Sequence, residues 1–356
     1  MALSIGIVGL PNVGKSTLFN ALTDAEALVA NYPFATIEPN TGIVPIPDSR
    51  LDKLAKIYQT NKIIPATVQF VDIAGLVKGA SQGEGLGNQF LSHIRSTNAI
   101  CHVVRAFEDQ DVIRADTIRS SKALRLDGVP GAGEQRTEMY NDSTSREQTQ
   151  PATPQSTKNT GRVTGSAGQQ AGVAQCLADI EIINTELVLA DLQTVNNRLP
   201  RLAKEAKADP KLRSQLETLQ KVESILEANQ ELEQILDLRS QILDLQLLTA
   251  KPVIYVFNLD EPALQGVTLK QQLTKLAEPA KGLFLSAKIE SELRGLDETD
   301  RQELLKSYGQ SQSGLVQLVH AAYDALGLQS FLTAGEKEVR AWTIAKGATA
   351  PQAAGV

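Results

Sequence analysis

Gly9-Leu10-Pro11-Asn12-Val13-Gly14-Lys15-Ser16-Thr17 is a complete G-x-x-x-x-G-K-[ST] loop. The apolar run Leu3, Ile5, Ile7 and Val8 leads into it, and Leu18, Phe19, Ala21 and Leu22 follow it with helical spacing. Strand, glycine-bearing turn and helix in that order form the setting in which this motif cradles phosphate. The glycines let backbone N–H groups turn inward, and the helix N-terminus adds partial positive charge. Asn12, Val13, Gly14, Lys15, Ser16 and Thr17 are therefore expected around a nucleoside triphosphate. Lys15 would reach the outer phosphates, and the Ser16 hydroxyl would serve Mg²⁺.

Outward from this loop, short apolar runs alternate with helix-like segments, the pattern of an α/β sheet. Strands are expected at 3–8, 67–72 and 99–105, then again at Pro252–Asn258 and Gly282–Ser286. One sheet thus begins, is interrupted and resumes. The interruption has two unlike halves. Residues 116–172 are rich in Ser, Thr, Gln, Gly and Pro and too poor in apolar periodicity to offset their ordering entropy, so disorder is expected. Residues 173–249 return to helical spacing at Ile180, Ile183, Leu187 and Ala190, and again at Ile235, Leu238, Ile242 and Leu245. Pro200 and Pro210 bracket a basic connection carrying Arg201, Lys204, Lys207 and Lys211. A self-packed antiparallel helical hairpin is the simplest reading, with the chain reversing between the two prolines. A helix over 313–328 would close the sheet domain, and the stretch from Phe331 to Val356 is too short to bury a core alone.

Composition narrows the function classes. A chain of 356 residues exceeds one compact core and suggests two or three domains. The net charge of −6 provides no overall basic excess for coating DNA. Two cysteines, Cys101 and Cys176, do not make a disulfide framework and fit a reducing cytoplasm. No apolar stretch approaches the ~20 residues that span a bilayer, and no membrane partner is expected.

A triphosphate loop needs an acid at the end of a neighbouring strand. Val68, Phe70 and Val71 lead into Asp72-Ile73-Ala74-Gly75, placing Asp72 to hold Mg²⁺ and the Gly75 N–H to meet the γ-phosphate. Between the two motifs, Thr36 would complete the Mg²⁺ shell when the γ-phosphate is present.

The segments Gly9 to Thr17, Asn31-Tyr32-Pro33-Phe34-Ala35-Thr36-Ile37-Glu38-Pro39-Asn40 and Asp72 to Ala80 resemble the Obg-related translation-factor GTPases. Gly83-Glu84-Gly85-Leu86-Gly87-Asn88-Gln89-Phe90 and Asn258-Leu259-Asp260-Glu261 narrow the resemblance to the YchF subfamily of Obg-like ATPases. That resemblance implies an α/β P-loop NTPase fold, a Ras-like G domain in two parts (1–115 and 250–330). It also implies a helical coiled-coil insertion at 173–249 and a truncated C-terminal TGS module of α+β type at 331–356. Mg²⁺-dependent ATP hydrolysis and association with the ribosome, on its large subunit, are implied with it.

The base reading adds chemistry. Guanine-specific relatives carry Asn-Lys-x-Asp, whose Asp accepts two hydrogen bonds from guanine. Here Leu259 replaces the Lys, and Glu261 replaces the Asp with a longer side chain, which removes the discrimination against ATP. ATP is expected to bind at least as tightly as GTP. Ser286-Ala287-Lys288 matches the remaining base-contacting loop. Lys15, Thr36 and Gly75 are the candidate catalytic groups. Leu76 stands where many relatives carry a water-orienting Gln, so turnover should be slow. Asn12 occupies the position that helps bind K⁺ beside the phosphates in similar NTPases. Arg114 stands where the family usually has a His, and His93 and His102 are read as structural. Two alternatives remain at this point: a GTP-specific switch, and a nucleotide-binding scaffold with little turnover.

Overall fold

The computed structural model describes residues 3–23, 41–73, 86–107, 166–228 and 233–356. At its centre β1 (Ser4–Val8) runs parallel to β4 (Thr67–Asp72) on one side and to β5 (Ala99–Arg105) on the other. Beyond β5 lie β6 (Val253–Asn258) and β7 (Lys281–Leu285), both parallel, while β2 (Thr41–Pro45) pairs antiparallel with β4 at the opposite edge. The order is β2-β4-β1-β5-β6-β7. Every residue of β1 and β5 is buried, as expected of parallel strands covered on both faces. Ile100 pairs with Val253, so the sheet does resume after the insertion. Register sets Ile7 beside Asp72 and Val8 beside His102, which gathers the carboxyl ends of β1, β4 and β5 at one edge. Open α/β sheets bind ligands at such an edge.

The insertion departs from the simple hairpin. Helix α4 (Ser166–Ala208) is one 43-residue helix, whose first residues lie inside the stretch read as low-complexity up to 172. It passes through Pro200 without ending. Only Pro210 marks the reversal: the Asp209 carboxylate accepts from Lys211 N at 3.0 Å, and α5 (Arg213–Ala228) returns. Leu199 and Leu202, flanking Pro200, pack into the core shared with Leu219, Val222 and Leu226 of α5, and this burial holds the helix across the proline. The expected self-packed stripe is divided as well. Val188, Val195 and Leu202 face the returning arm, but Ile183, Leu187 and Ala190 belong to the sheet core and Ile180 to a second core around β6. After α5 the chain makes a short α6 (Glu233–Leu238) and single 3₁₀ turns at Arg239–Gln241 and Leu243–Leu245, not the continuous helix implied by the spacing of Ile235 to Leu245.

The C-terminal region follows α11 (Gly314–Ala325) with β8 (Leu328–Ala334), β9 (Val339–Ala345) and α12 (Ala350–Ala354). Its first strand starts three residues before the boundary expected at 331. β9 also pairs in parallel with β3 (Ile63–Ile64), giving a second sheet of order β3-β9-β8. Val339 and Ala341 join the main sheet core, so this short module borrows both a strand and a core. Trp342 finds partners there: Nε1 donates to Thr333 Oγ1 at 2.9 Å, and the Arg340 guanidinium lies 3.8 Å from its ring centroid.

Candidate functional site: a nucleotide cleft

The loop that leaves β1 turns through Asn12 at φ 62° and Gly14 at φ 95°, then α1 (Lys15–Thr23) begins. Gly14 is required twice. Its φ disfavours L side chains, and a Cβ there would sit 2.4 Å from Asn258 Nδ2. That close approach exists because Asn258 is a clamp. Its Nδ2 donates to Val13 O at 3.0 Å, while its Oδ1 accepts from Ala287 N at 2.9 Å. One side chain at the end of β6 therefore ties the phosphate loop to the Ser286–Lys288 loop after β7.

Lys15 is buried, and its Nζ donates to Leu10 O at 2.7 Å. Burial lowers its pKa to about 8, against the opposing pull of Asp72. Ser16 Oγ donates to Asp72 Oδ2 at 3.5 Å, a long contact. Asp72 Oδ1 is buried and has no hydrogen-bond partner among the described residues. Burial raises the Asp72 carboxyl, while Lys15 and the Ser16 hydroxyl lower it. A carboxylate with one buried, unpartnered oxygen, beside a serine hydroxyl, is a hard-oxygen donor pair that suits Mg²⁺. Thr36 and Gly75, expected to complete this side of the site, lie outside the described residues, as do Leu76 and Arg114.

A cleft of about 700 Å³ opens above these groups. Asn12, Gly14, Lys15, Ser16 and Thr17 line one side, and Asn258, Leu259, Glu261, Ser286, Ala287 and Lys288 line the other. Val13 is buried beneath and enters through its carbonyl. Leu259 is only 1% exposed and packs into the second core with Val104 and Tyr255, so it forms the cleft floor. Asp260 is occupied in capping α7 (Glu261–Leu264), its Oδ1 accepting from Ala263 N at 3.1 Å, while Glu261 and Lys288 stand exposed at the rim.

Phe107 also lines the cleft and was not among the residues read from sequence. It is half-buried just past β5, with the Arg105 guanidinium 4.5 Å from its ring centroid. The available signal was an aromatic residue two positions beyond a strand whose carboxyl end faces the phosphate loop. Glu292 is a second such lining residue, and nothing in its local sequence marks it. His102 is a core residue: burial, then the nearby Lys15 charge, push its pKa down to about 3, and its ring lies 5.3 Å from that of Tyr255. His93 is exposed on α3 (Leu86–Ser96).

The chain is similar in sequence and fold to known proteins. The family profile described as 50S ribosome-binding GTPase matches residues 4–126, and one for the YchF GTPase C-terminal region, described as a protein of unknown function, matches 328–356. The ribosome-binding ATPase YchF of Bacillus subtilis is 40% identical over 365 residues, covering 100% of this chain and 85% of that protein. Its counterpart from Escherichia coli O157:H7 is 42% identical over 361 residues, covering 100% and 84%. The solved structure of the Schizosaccharomyces pombe YchF GTPase matches with a TM-score of 0.71 at 33% identity, covering 99% of this chain and 83% of that one.

Proposed function

Because this chain belongs to the YchF family of Obg-related P-loop nucleoside triphosphatases, we propose that it binds ATP with Mg²⁺ in the cleft above β1 and hydrolyses it as a switch acting on the ribosome. The observation that supports this most is the Asn258 clamp, which sets a phosphate loop and a base loop on opposite walls of one cleft.

Lys15 neutralises the outer phosphates, and Ser16, Asp72 and Thr36 would hold the metal. Mg²⁺ held there would supply positive charge to the phosphates. A water oxygen attacks the γ-phosphorus, the bond to the β–γ bridging oxygen breaks, ADP leaves with that electron pair, and a water proton passes to an oxygen of the departing phosphate. Charge builds on the transferring group in this step, and Lys15 and the Gly75 N–H answer it. Leu76 cannot orient the water, so intrinsic turnover is slow; K⁺ held beside Asn12 would add positive charge at the phosphates. The purine enters between the two loops, where Phe107 offers a ring for stacking and Glu261 replaces the carboxylate that selects guanine. ATP is therefore the preferred nucleotide and GTP the weaker one.

The partner assignment draws on the relatives, which are ribosome-binding ATPases. The arm presents exposed Arg201, Lys204, Lys207 and Lys211 near its reversal, a charge pattern suited to RNA phosphates on the large subunit. A cytoplasmic site follows from that partner; among the described residues no helix is long and apolar enough to cross a membrane. The test is competition binding in Mg²⁺ with ATP and GTP, alongside hydrolysis by wild type and Lys15→Ala. ATP binding at least as tight as GTP, with hydrolysis lost in the variant, is expected. A clear GTP preference supports the guanine-nucleotide switch instead, and equal hydrolysis by both proteins removes the enzyme.

A further inference from the structure

Glu290 is 6% exposed and lies on α9 (Ala287–Glu292), the short helix that continues the Ser286–Lys288 loop. Neighbouring residues 286–289 line the nucleotide cleft, but Glu290 does not; it turns to the opposite side. There its Oε1 accepts from Gly314 N and its Oε2 from Ser313 Oγ, both at 2.6 Å. These donors form the N-terminus of α11, whose partial positive charge favours a carboxylate. Gly314 permits the approach: a Cβ there would sit 2.5 Å from Leu285 Cβ and 3.0 Å from Glu290 Oε1.

Burying a carboxylate on a six-residue helix is costly unless it is fully hydrogen-bonded, and an apolar side chain would fill the space more cheaply. The bonds provide direction instead. Ser286 has no side-chain capping bond of its own, and the loop it starts is held from the β6 side by Asn258. Glu290 supplies the hold from the α11 side. Side-chain hydrogen bonds thus hold the loop at two points, one shared with the phosphate loop and one on α11.

We propose that Glu290 is a positioning residue for the purine: it sets the Ser286–Lys288 loop at the distance from the phosphate loop that a nucleoside requires, without serving the phosphates. This rests on the nucleotide reading above and deepens it. The phosphate groups Lys15, Ser16 and Asp72 lie on α1 and β4, and the Glu290 carboxylate hydrogen-bonds to α11 and to neither of these elements.

The test compares calorimetric binding of Mg²⁺-ATP and Mg²⁺-tripolyphosphate, a ligand with no base, to wild type, Glu290→Ala, Glu290→Gln and Ser313→Ala. Glu290→Ala should weaken ATP about tenfold, the equivalent of one to two net hydrogen bonds, and change tripolyphosphate less than about twofold. Glu290→Gln keeps an acceptor for Gly314 N and should stay within about threefold of wild type for both ligands. Ser313→Ala should weaken ATP about threefold with tripolyphosphate unchanged, and it decides the matter if Glu290→Ala does not fold. Equal weakening of both ligands, or unchanged ATP affinity, overturns the inference. Wild type that binds neither ligand overturns the nucleotide reading itself, so the two failures are distinct.

Discussion

At Lys15 a cost in stability and the proposed phosphate contact fall on one side chain. Its burial lowers the pKa to about 8, so the folded protein holds that proton less tightly than the unfolded chain does. The sign follows: charged Lys15 costs stability below pH 8, and the cost fades as pH rises from 8 towards 10.5. Phosphate oxygens at the loop would raise the pKa again, so ATP binding should take up a proton near and above pH 8. Calorimetry at pH 8.5 in two buffers of different ionisation enthalpy should then give different apparent enthalpies. Identical enthalpies would mean that Lys15 is already fully charged in the free protein. Gly14→Ala tests the clamp at the same scale. A Cβ 2.4 Å from Asn258 Nδ2, at φ 95°, should destabilise the fold by about 1–3 kcal/mol and abolish nucleotide binding. Wild-type binding in that variant would remove the clamp from the account. The glycines and Lys15 were legible because the loop motif is local. The Asn258 bridge was not, since its partners Val13 and Ala287 lie far from it in sequence.

At the scale of elements, α4 is the member on which the arm and the sheet both depend. It gives one face to the sheet core through Ile183 and Leu187 and another to the arm through Val195 and Leu202. Asp191 fixes it. The carboxylate is fully buried and accepts from Leu248 N at 2.9 Å, Thr249 N at 2.8 Å and Thr249 Oγ1 at 2.8 Å, with Arg95 at 3.8 Å. Asp191→Ala leaves two backbone donors without their acceptor and should cost about 2–4 kcal/mol in urea denaturation. A loss below about 0.5 kcal/mol would show that water replaces the carboxylate freely. Pro200 predicts the opposite sign. It sits exposed inside the helix, so Pro200→Ala should stabilise the protein by about 1–3 kcal/mol. A drop in stability would show that the proline itself is needed for packing. From sequence, the same proline marked a helix end, because the local rule cannot see the leucines that hold the helix on either side of it.

Over the whole molecule, charge is uneven. A chain of net charge −6 carries exposed basic residues at the reversal of its arm. If that end meets RNA phosphates, replacing Lys204, Lys207 and Lys211 by Ala should flatten the salt dependence of ribosome association by about 2 in log–log slope. Co-sedimentation across a salt series measures it, and an unchanged slope would move the contact elsewhere on the surface. The C-terminal strands are likewise a whole-molecule feature: β9 lies beside β3, and Val339 enters the sheet core, so this module and the nucleotide domain are stabilised together.

The five parallel strands of the main sheet and the loop after β1 were legible in the chain alone, whereas the antiparallel edge strand β2 was not. Strand runs such as 67–72 and 99–105, and a nine-residue motif from Gly9 to Thr17, carry their instructions within a few residues of backbone geometry. Packing settled that α4 splits between two cores, that β3 joins β9, that Phe107 faces the cleft, and that Asn258 and Glu290 hold the Ser286–Lys288 loop from two sides. Each of these depends on which distant surfaces meet when apolar area is buried, and no local spacing encodes that choice.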